Sequence, residues 1–216
     1  MQDVIIVCAG SYGKEVYWEL RRKIFHAEWT GKEVPYRILG FINDIPNALD
    51  NYPAITEPIL GSIQDWKPIG DEKYILGLGT PDAKKKVVEM LKPRGIEFIS
   101  IISDWARVSE DLIHGEGCVI TGGARIGCDV RLGDFVNINA SMIYSGAEIG
   151  DFSTSTGFTI IEDAVIEEGV HLGSKAVITA GKRVGAWSNV AVGSVVMSDV
   201  RPGTTVFGMP DRKSVV

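Results

Sequence analysis

Histidine and cysteine are both scarce here, with three of each in 216 residues. Cys8, Cys118 and Cys128 lie far apart without CxxC spacing, which argues against a zinc site and against a disulfide framework. No apolar run approaches the length of a membrane span. The opening MQDVIIVCAG leads straight into a strand rather than a signal peptide, so a reduced, cytoplasmic setting is expected. No basic run is present and the net charge is −6, which speaks against nucleic acid as the main partner. An acidic balance leaves phosphate-bearing small molecules open, because backbone N–H groups can bind those locally.

What the chain has in quantity is a six-residue beat. From about Val108 to Val200, aliphatic residues fall at Ile120, Ile126, Leu132 and Ile138, then, after a five-residue step, at Ile143 and Ile149. A second short step comes near Ile160, and the beat resumes at Ile166, Leu172, Ile178, Val184, Val190 and Val196. Two positions before each stands a small or β-branched residue such as Ala124, Val130, Ser141, Ala176 or Ser194, with Lys182 as the exception. Cys118 occupies one of these slots and reads as a core residue. A period of six fits neither a helix face nor one alternating strand. It fits a three-sided coil of short strands, a parallel β-helix in which each rung buries its apolar edge only by stacking on the next. Three sextets make a rung, so this stretch holds about five rungs.

The first hundred residues read differently. Val4–Val7 is an all-apolar run of the kind found in a buried parallel strand. It ends in Cys8-Ala9-Gly10-Ser11-Tyr12-Gly13-Lys14, and Val16, Leu20 and Ile24 then follow at helical spacing. Strand, glycine turn and helix make a candidate anion site, since the first N–H groups of a helix point over the turn. The full dinucleotide fingerprint has Gly where Cys8 stands, so only part of it is present. A ligand over this turn is the favoured reading, and a bare tight turn is the alternative.

His26–Tyr36 reads as a loop, and Ile38–Ile42 as a second strand closing at Asn43-Asp44. Asp44 is placed either to meet a ribose or base, or to cap a turn. Residues 45–72 read as irregular, with a short segment around Ile63–Trp66. Lys73–Gly79 reads as a strand leading to Thr80-Pro81 and a helix with Ala83, Val87 and Leu91 on one face. Lys84, Lys85 and Lys86 are expected on its solvated side, and Gly79 and Thr80 could add a second phosphate contact. Ile96–Ile102 is expected as a last strand, giving β-α-β-β-α-β and a small parallel sheet of Rossmann type. The predicted division is 1–103 and 104–216, an α/β Rossmann-like domain followed by a left-handed parallel β-helix. Thr204–Pro210 reads as a closing strand and tight turn.

The markers VIIVCAGSYGKEV, GFIND, GLGTPDAKKK, the hexapeptide run and VVMSDVRPGTTVFGMP occur in an order and spacing that span nearly the whole chain. Together they resemble the sugar O-acyltransferase family, which includes sialic acid O-acetyltransferases and bacterial UDP- and GDP-amino-sugar N-acetyltransferases. The resemblance implies a homotrimer with acetyl-CoA as acyl donor in the cleft between neighbours. It also implies a nucleotide-activated sugar in the first domain. Gly10, Ser11, Tyr12 and Gly13 would surround the phosphates, Asp44 would lie near base or ribose, and Gly79 and Thr80 would be second-line contacts. Ala180, Gly181 and Gly193 match small positions along which the family's pantetheine chain runs, although the coil's turns call for such residues anyway.

Family members resembling this chain use a β-helix His as general base with an acidic neighbour to orient it. The family stretch reads Ile-Asn-x-Gly-Ala-x-x-x-His-Asp-x-x-Ile-Gly-Asp. Here Ile138-Asn139 and Ile149-Gly150-Asp151 align, which leaves Ser145 in the His position and Gly146 in the acidic one. His26 lies in the other domain, His114 falls on the beat and should point inward, and His171 is expected in a turn well away from Ser145. Glu148 and Tyr144 are the nearest titratable candidates for the missing base, and Glu148 is taken with Ser145 as a candidate catalytic residue. The leading expectation is an acyl-CoA-dependent sugar transferase with an altered catalytic position. The alternative is a binding or assembly protein that kept the fold and lost the chemistry. A nicotinamide oxidoreductase is disfavoured by the incomplete fingerprint and by the β-helix, which has no part in hydride transfer.

Overall fold

The computed structural model describes residues 1–209 and the backbone of 212–215. The chain divides into two compact units, Met1–Gly79 with Ala83–Ile101, and Thr80–Asp82 with Ile102–Val216. Among the described residues, no helix is long and apolar enough to cross a membrane.

The first unit is built on β1 (Gln2–Val7), α1 (Ser11–Trp29), β2 (Tyr36–Ile42), β3 (Ile59–Gly61), β4 (Lys73–Leu76) and, from Ala83 onward, α2 (Pro81–Leu91). The strands form a parallel sheet in the order β3-β2-β1-β4. β1 is central, and Val4–Val7 are fully buried, as a strand covered on both sides requires. α1 packs Val16, Leu20 and Ile24 inward and continues through His26 to Trp29, so the predicted loop begins one turn later.

Other expectations in this unit also change. The predicted final strand Ile96–Ile102 is not one strand: Phe98 makes a single bridge to Tyr74, and Ile101–Ile102 is a separate two-residue strand. β4 stops at Leu76, short of Gly79. Lys84 is not solvated but fully buried, on the same side of α2 as Val88 and Leu91. Its four-carbon stem lets a lysine occupy an apolar face while the head group reaches a polar partner.

The second unit is a parallel β-helix with three faces. Face one stacks Arg107–Val108, Arg125–Ile126, Met142–Ile143, Ile160–Ile161, Val177–Ile178 and Val195–Val196. Face two stacks Ile113–His114, Arg131–Leu132, Glu148–Ile149, Val165–Ile166 and Arg183–Val184. Face three stacks Val119–Ile120, Asn137–Ile138, Thr154–Ser155, His171–Leu172, Asn189–Val190 and Thr204–Phe207, with Arg212–Val215 antiparallel at its edge. Thr204–Phe207 is the expected closing strand, while Pro210 lies outside the described residues.

Register explains the sequence. Stacked partners lie 18 or 17 residues apart, as with Leu132 opposite His114 and Ile149 opposite Leu132, and 16 apart at the last rung, where Val206 lies opposite Val190. The second residue of each strand faces the axis, and Ile126, Ile138, Ile161, Leu172 and Val190 are all buried. Ile161 rather than Ile160 holds the inward slot, and the second short step runs from Ile161 to Ile166. Ser155 fills an inward slot where the rhythm calls for an aliphatic residue. Its Oγ donates to Ser141 Oγ at 2.7 Å, and Ser141 donates to the carbonyls of Asn139 and Thr156, so the buried hydroxyls are satisfied. His114 occupies an inward register position yet is exposed, because the lowest rung of face two has none beneath it. His171 lies in a strand, not a turn, facing outward.

Four aspartates tie the corners of neighbouring rungs together. Asp111, Asp134, Asp151 and Asp199 accept backbone N–H bonds from Asp129, Glu116, Asp134 and Arg183 in neighbouring rungs, at 2.8–3.0 Å. Each acid thus neutralises a donor that a turn would otherwise leave unmatched.

Candidate functional site

In the first unit the glycine turn is tightly built. Cys8 adopts φ 81°, a left-handed conformation that disfavours any side chain, at the position where the dinucleotide fingerprint has glycine. Gly13 must lack a Cβ, since one would stand 2.0 Å from the Cys8 carbonyl oxygen. Gly77, unremarked in the sequence, is held by the same constraint, with Gly13 Cα and the Val7 and Cys8 carbonyl oxygens all within 3 Å of a Cβ there. Strand, turn and the end of β4 therefore meet backbone to backbone. Gly10 is the N-cap of α1, with no side-chain cap and no acidic residue in the first turn, so the helix start carries its full positive end. Ser11 is exposed and Tyr12 half-buried. Gly79 lies beside the Tyr12 ring, at ordinary packing distance for a Cβ. Thr80 falls in the second compact unit.

Asn43, not singled out in the sequence, ties this turn to β2: its Oδ1 accepts from Ala9 N–H at 3.0 Å, and its Nδ2 donates to the Ile45 carbonyl. Asp44 is exposed, and its Oδ1 accepts from Ser62 Oγ at 2.7 Å and Gln64 N–H at 3.2 Å. The Ser62 hydrogen bond leads in holding its carboxyl below the usual range. Of the two roles open to Asp44, the turn cap is occupied in this structure. Lys14 places its ammonium 3.5 Å from the centre of the Tyr52 ring.

In the β-helix, Ser145 stands at the corner between faces one and two. The register puts Cys128 in the rung before it and Asp163 in the rung after. The Cys128 thiol donates to Ser145 Oγ at 3.1 Å. Gly146 has φ 82°, and a Cβ on it would come within 2.8 Å of Asp163 Oδ1. Asp163 thus brings a carboxylate to this corner, and it can be found in the sequence only by counting the 18-residue register. Glu148 faces outward from face two, between Arg131 and Val165 in register. It does not line the cavity beside Ser145. That cavity, about 220 Å³, is lined by Arg125, Gly127, Met142, Ile143, Tyr144 and Ser145.

Ala180 and Gly181 occupy the Ser145 corner two rungs further along, roughly 10 Å away at the spacing of parallel strands. Gly193 lies at the opposite border of face one. Gly181 and Gly193 adopt φ 71° and 69°, and a Cβ on either would meet nothing within 4 Å. Their N–H groups are used within the coil, as is that of Ala180, which donates to Glu162 Oε2 at 2.9 Å. Backbone conformation favours glycine here, although Asp129 and Lys175 hold similar φ at the equivalent corners of other rungs, and the space outside is open. Between these corners, the outward residues of face one beyond Arg125 are all apolar: Met142, Ile160, Val177 and Val195. Phe158, Tyr144 and Met197 stand exposed at its margins. Among the described residues, no group of three or more His, Cys, Asp or Glu side chains could hold a metal ion.

The architecture is that of the hexapeptide β-helix joined to a small parallel α/β unit. Solved structures with this fold include the acetyltransferase domain of PglB from Neisseria gonorrhoeae FA1090, 20% identical, with TM-score 0.82 over 99% of this chain and 100% of that one. A second structure of that domain holds acetyl coenzyme A. PerB from Caulobacter crescentus, solved with CoA and GDP-perosamine, is 20% identical with TM-score 0.75 over 99% and 98%. At these identities the likeness is one of fold. Among curated sequences, the bifunctional protein GlmU of Acidovorax sp. (strain JS42) is 31% identical over 117 residues, covering 45% of this chain. The chain spans about a quarter of that relative's length. No protein-family model matches the chain.

Proposed function

We propose that the chain is an acyl-CoA-dependent sugar acyltransferase acting on a nucleotide-linked or polysaccharide-precursor sugar. In this reading residues 1–103 form a Rossmann-like unit that binds the nucleotide sugar over Gly10, Ser11, Tyr12 and Gly13. Residues 104–216 form a left-handed β-helix that works as a homotrimer, with acetyl-CoA along face one past Ala180, Gly181 and Gly193. The observation that carries the reading is the likeness of fold along the whole chain to two proteins solved with CoA or acetyl-CoA. Three features of this chain support it: the uncapped start of α1, the cavity beside Ser145, and the apolar outer surface of face one, which suits contact with a second copy.

Ser145 cannot serve as a general base without a base of its own. With the Cys128 thiol donating to its oxygen, its own hydrogen is free to point toward a ligand, so it acts as a hydrogen-bond donor to the oxygen of the attacked thioester carbonyl. The acceptor amine or hydroxyl attacks that carbon, CoA leaves as thiolate, and the acceptor's proton passes to solvent. Without general-base help the step runs roughly 10²–10⁴ slower than one that has it.

The test is thiol release from acetyl-CoA with a panel of UDP- and GDP-linked amino sugars, using the wild type and Ser145→His. Asp163 stands where it can orient a new imidazole, so the variant is expected to turn over about 10²-fold faster. Gly146 should be left alone, because its φ and the nearby Asp163 carboxylate make any side chain there costly. A second reading, a binding or assembly protein with abandoned chemistry, is favoured by the lack of a base at Ser145. It predicts no thiol release from the wild type and no gain from the variant.

A further inference from the structure

Arg107 and Arg125 lie side by side in register on adjacent parallel strands of face one, both exposed. Such neighbours are only ~4.8 Å apart along the stack, and like charges directly opposite each other repel. Four arginines elsewhere are matched: Arg37 with Asp3, Arg22 with Glu19, Arg183 with Glu167, and Arg94 with the carbonyls of Ile63 and Trp66. Among the described residues, the side chains of Arg107 and Arg125 have no hydrogen bond or ion pair, their backbone N–H groups being used within the coil. The outward column they begin continues as Met142, Ile160, Val177 and Val195, without a carboxylate. In the adjoining column Glu162 is turned to the next rung, where Ala180 N–H occupies its Oε2.

Arg125 lines the cavity that Ser145 and Tyr144 also line. At about 220 Å³ this space is smaller than the usual ligand pocket of roughly 300–1,000 Å³, so it suits one ring or one charged substituent rather than a whole nucleotide. A guanidinium fork is the side chain that matches a carboxylate or phosphate with two parallel hydrogen bonds.

We propose that Arg125, with Arg107 beside it, binds an anionic group of the acceptor sugar, a carboxylate or a phosphate, and so holds the acceptor's nucleophile at Ser145. The proposal rests on the acyltransferase reading for its meaning but not for its test. The exposed Tyr144 ring supplies an apolar wall for the sugar's C–H face. The enzyme selects acidic acceptors over neutral ones, and selection weakens as salt screens the arginines.

The experiment is calorimetric titration of the full chain with glucuronate, inorganic phosphate and glucose. Wild type, Arg125→Gln, Arg125→Lys and Arg131→Gln are compared, with solution mass and thermal midpoint measured for each. Glucuronate is expected to bind at least about tenfold more tightly than glucose, and Arg125→Gln to lose about tenfold or more of that affinity. Arg125→Lys should fall between, since it keeps charge but not the fork, and Arg131→Gln, on face two, should bind as wild type. Phosphate that displaces glucuronate assigns the site to phosphorylated acceptors as well; phosphate that does not assigns it to carboxylates. Equal binding of glucuronate and glucose, or binding unchanged in Arg125→Gln, overturns the proposal. So does an Arg125→Gln variant that changes subunit mass but not affinity, which would make the arginine a contact between copies. Arginine-dependent binding without acyl transfer to any sugar would remove the enzymatic reading alone. Acyl transfer indifferent to Arg125 would remove this one alone.

Discussion

Cys8 carries a conformation that its side chain opposes. Left-handed backbone at a residue other than glycine costs of order 1–3 kcal/mol, and the surrounding contacts hold it: β1 on one side, Gly13 and Gly77 pressed against its carbonyl. Cys8→Gly is therefore expected to stabilise the protein by about 1 kcal/mol, read as a higher urea midpoint with unchanged slope. A lower midpoint would mean that the thiol's own packing outweighs the strain. The missing fingerprint glycine was legible in the sequence as a departure, but its consequence was not, because backbone strain depends on how tightly neighbouring strands close around the turn. Ser145 is a similar case. The sequence shows that a base is missing, whereas the Cys128 thiol on one side and Asp163 on the other emerge only from a register of 17 or 18 residues.

At the level of elements, the irregular segment between β3 and β4 is fastened by a small buried network. Trp66 Nε1 donates to Tyr74 OH at 2.9 Å, Tyr74 OH donates to Glu72 Oε1, and Ile69 N–H donates to the same oxygen at 2.8 Å. Burial pushes the Glu72 carboxyl up, but the Tyr74 hydroxyl and the backbone donors outweigh it and hold it below its ordinary value. A carboxyl lowered in the folded state stabilises fully above its unfolded value, and that contribution disappears as pH falls through the folded value. Tyr74→Phe leaves Trp66 N–H and Glu72 each short of a partner. It should cost about 1–3 kcal/mol at pH 7 by urea unfolding, with a smaller difference from wild type at pH 3. A pH-independent difference would remove Glu72 from the account.

The coil was the most legible element, since a sextet beat has few other physical solutions. Its polar departures were not. Ser155 breaks the rhythm yet sits inward, because Ser141 supplies the partner that a buried hydroxyl needs. Phe135 and Phe152 stack at a corner with ring centres 5.3 Å apart, and Phe135 lies over Gly117, whose missing Cβ makes room for it. Neither pairing leaves a mark on the aliphatic pattern. In α2 the solvated-face expectation failed at Lys84, where position along the helix decided burial and charge did not.

Across the whole molecule, a parallel α/β unit with an open helix start is followed by a β-helix with one apolar outer face. That face runs from Met142 to Val195, with the Ser145 and Gly181 corner on one border and Gly193 on the other. An apolar column on a coil otherwise studded with Arg, Glu and Asp is expected to be covered, here by a second copy of the chain. On the proposed reading the donor would lie where two copies meet. Arg107 and Arg125 stand at the end of the column, and Arg125 lines the cavity proposed to receive the acceptor.

The most direct measurement is native mass spectrometry of the full chain with and without acetyl-CoA. The account predicts a three-subunit mass that takes up as many as three acetyl-CoA molecules, with uptake lost when Val177→Asp breaks the apolar face. A one-subunit mass that retains no acetyl-CoA would contradict it.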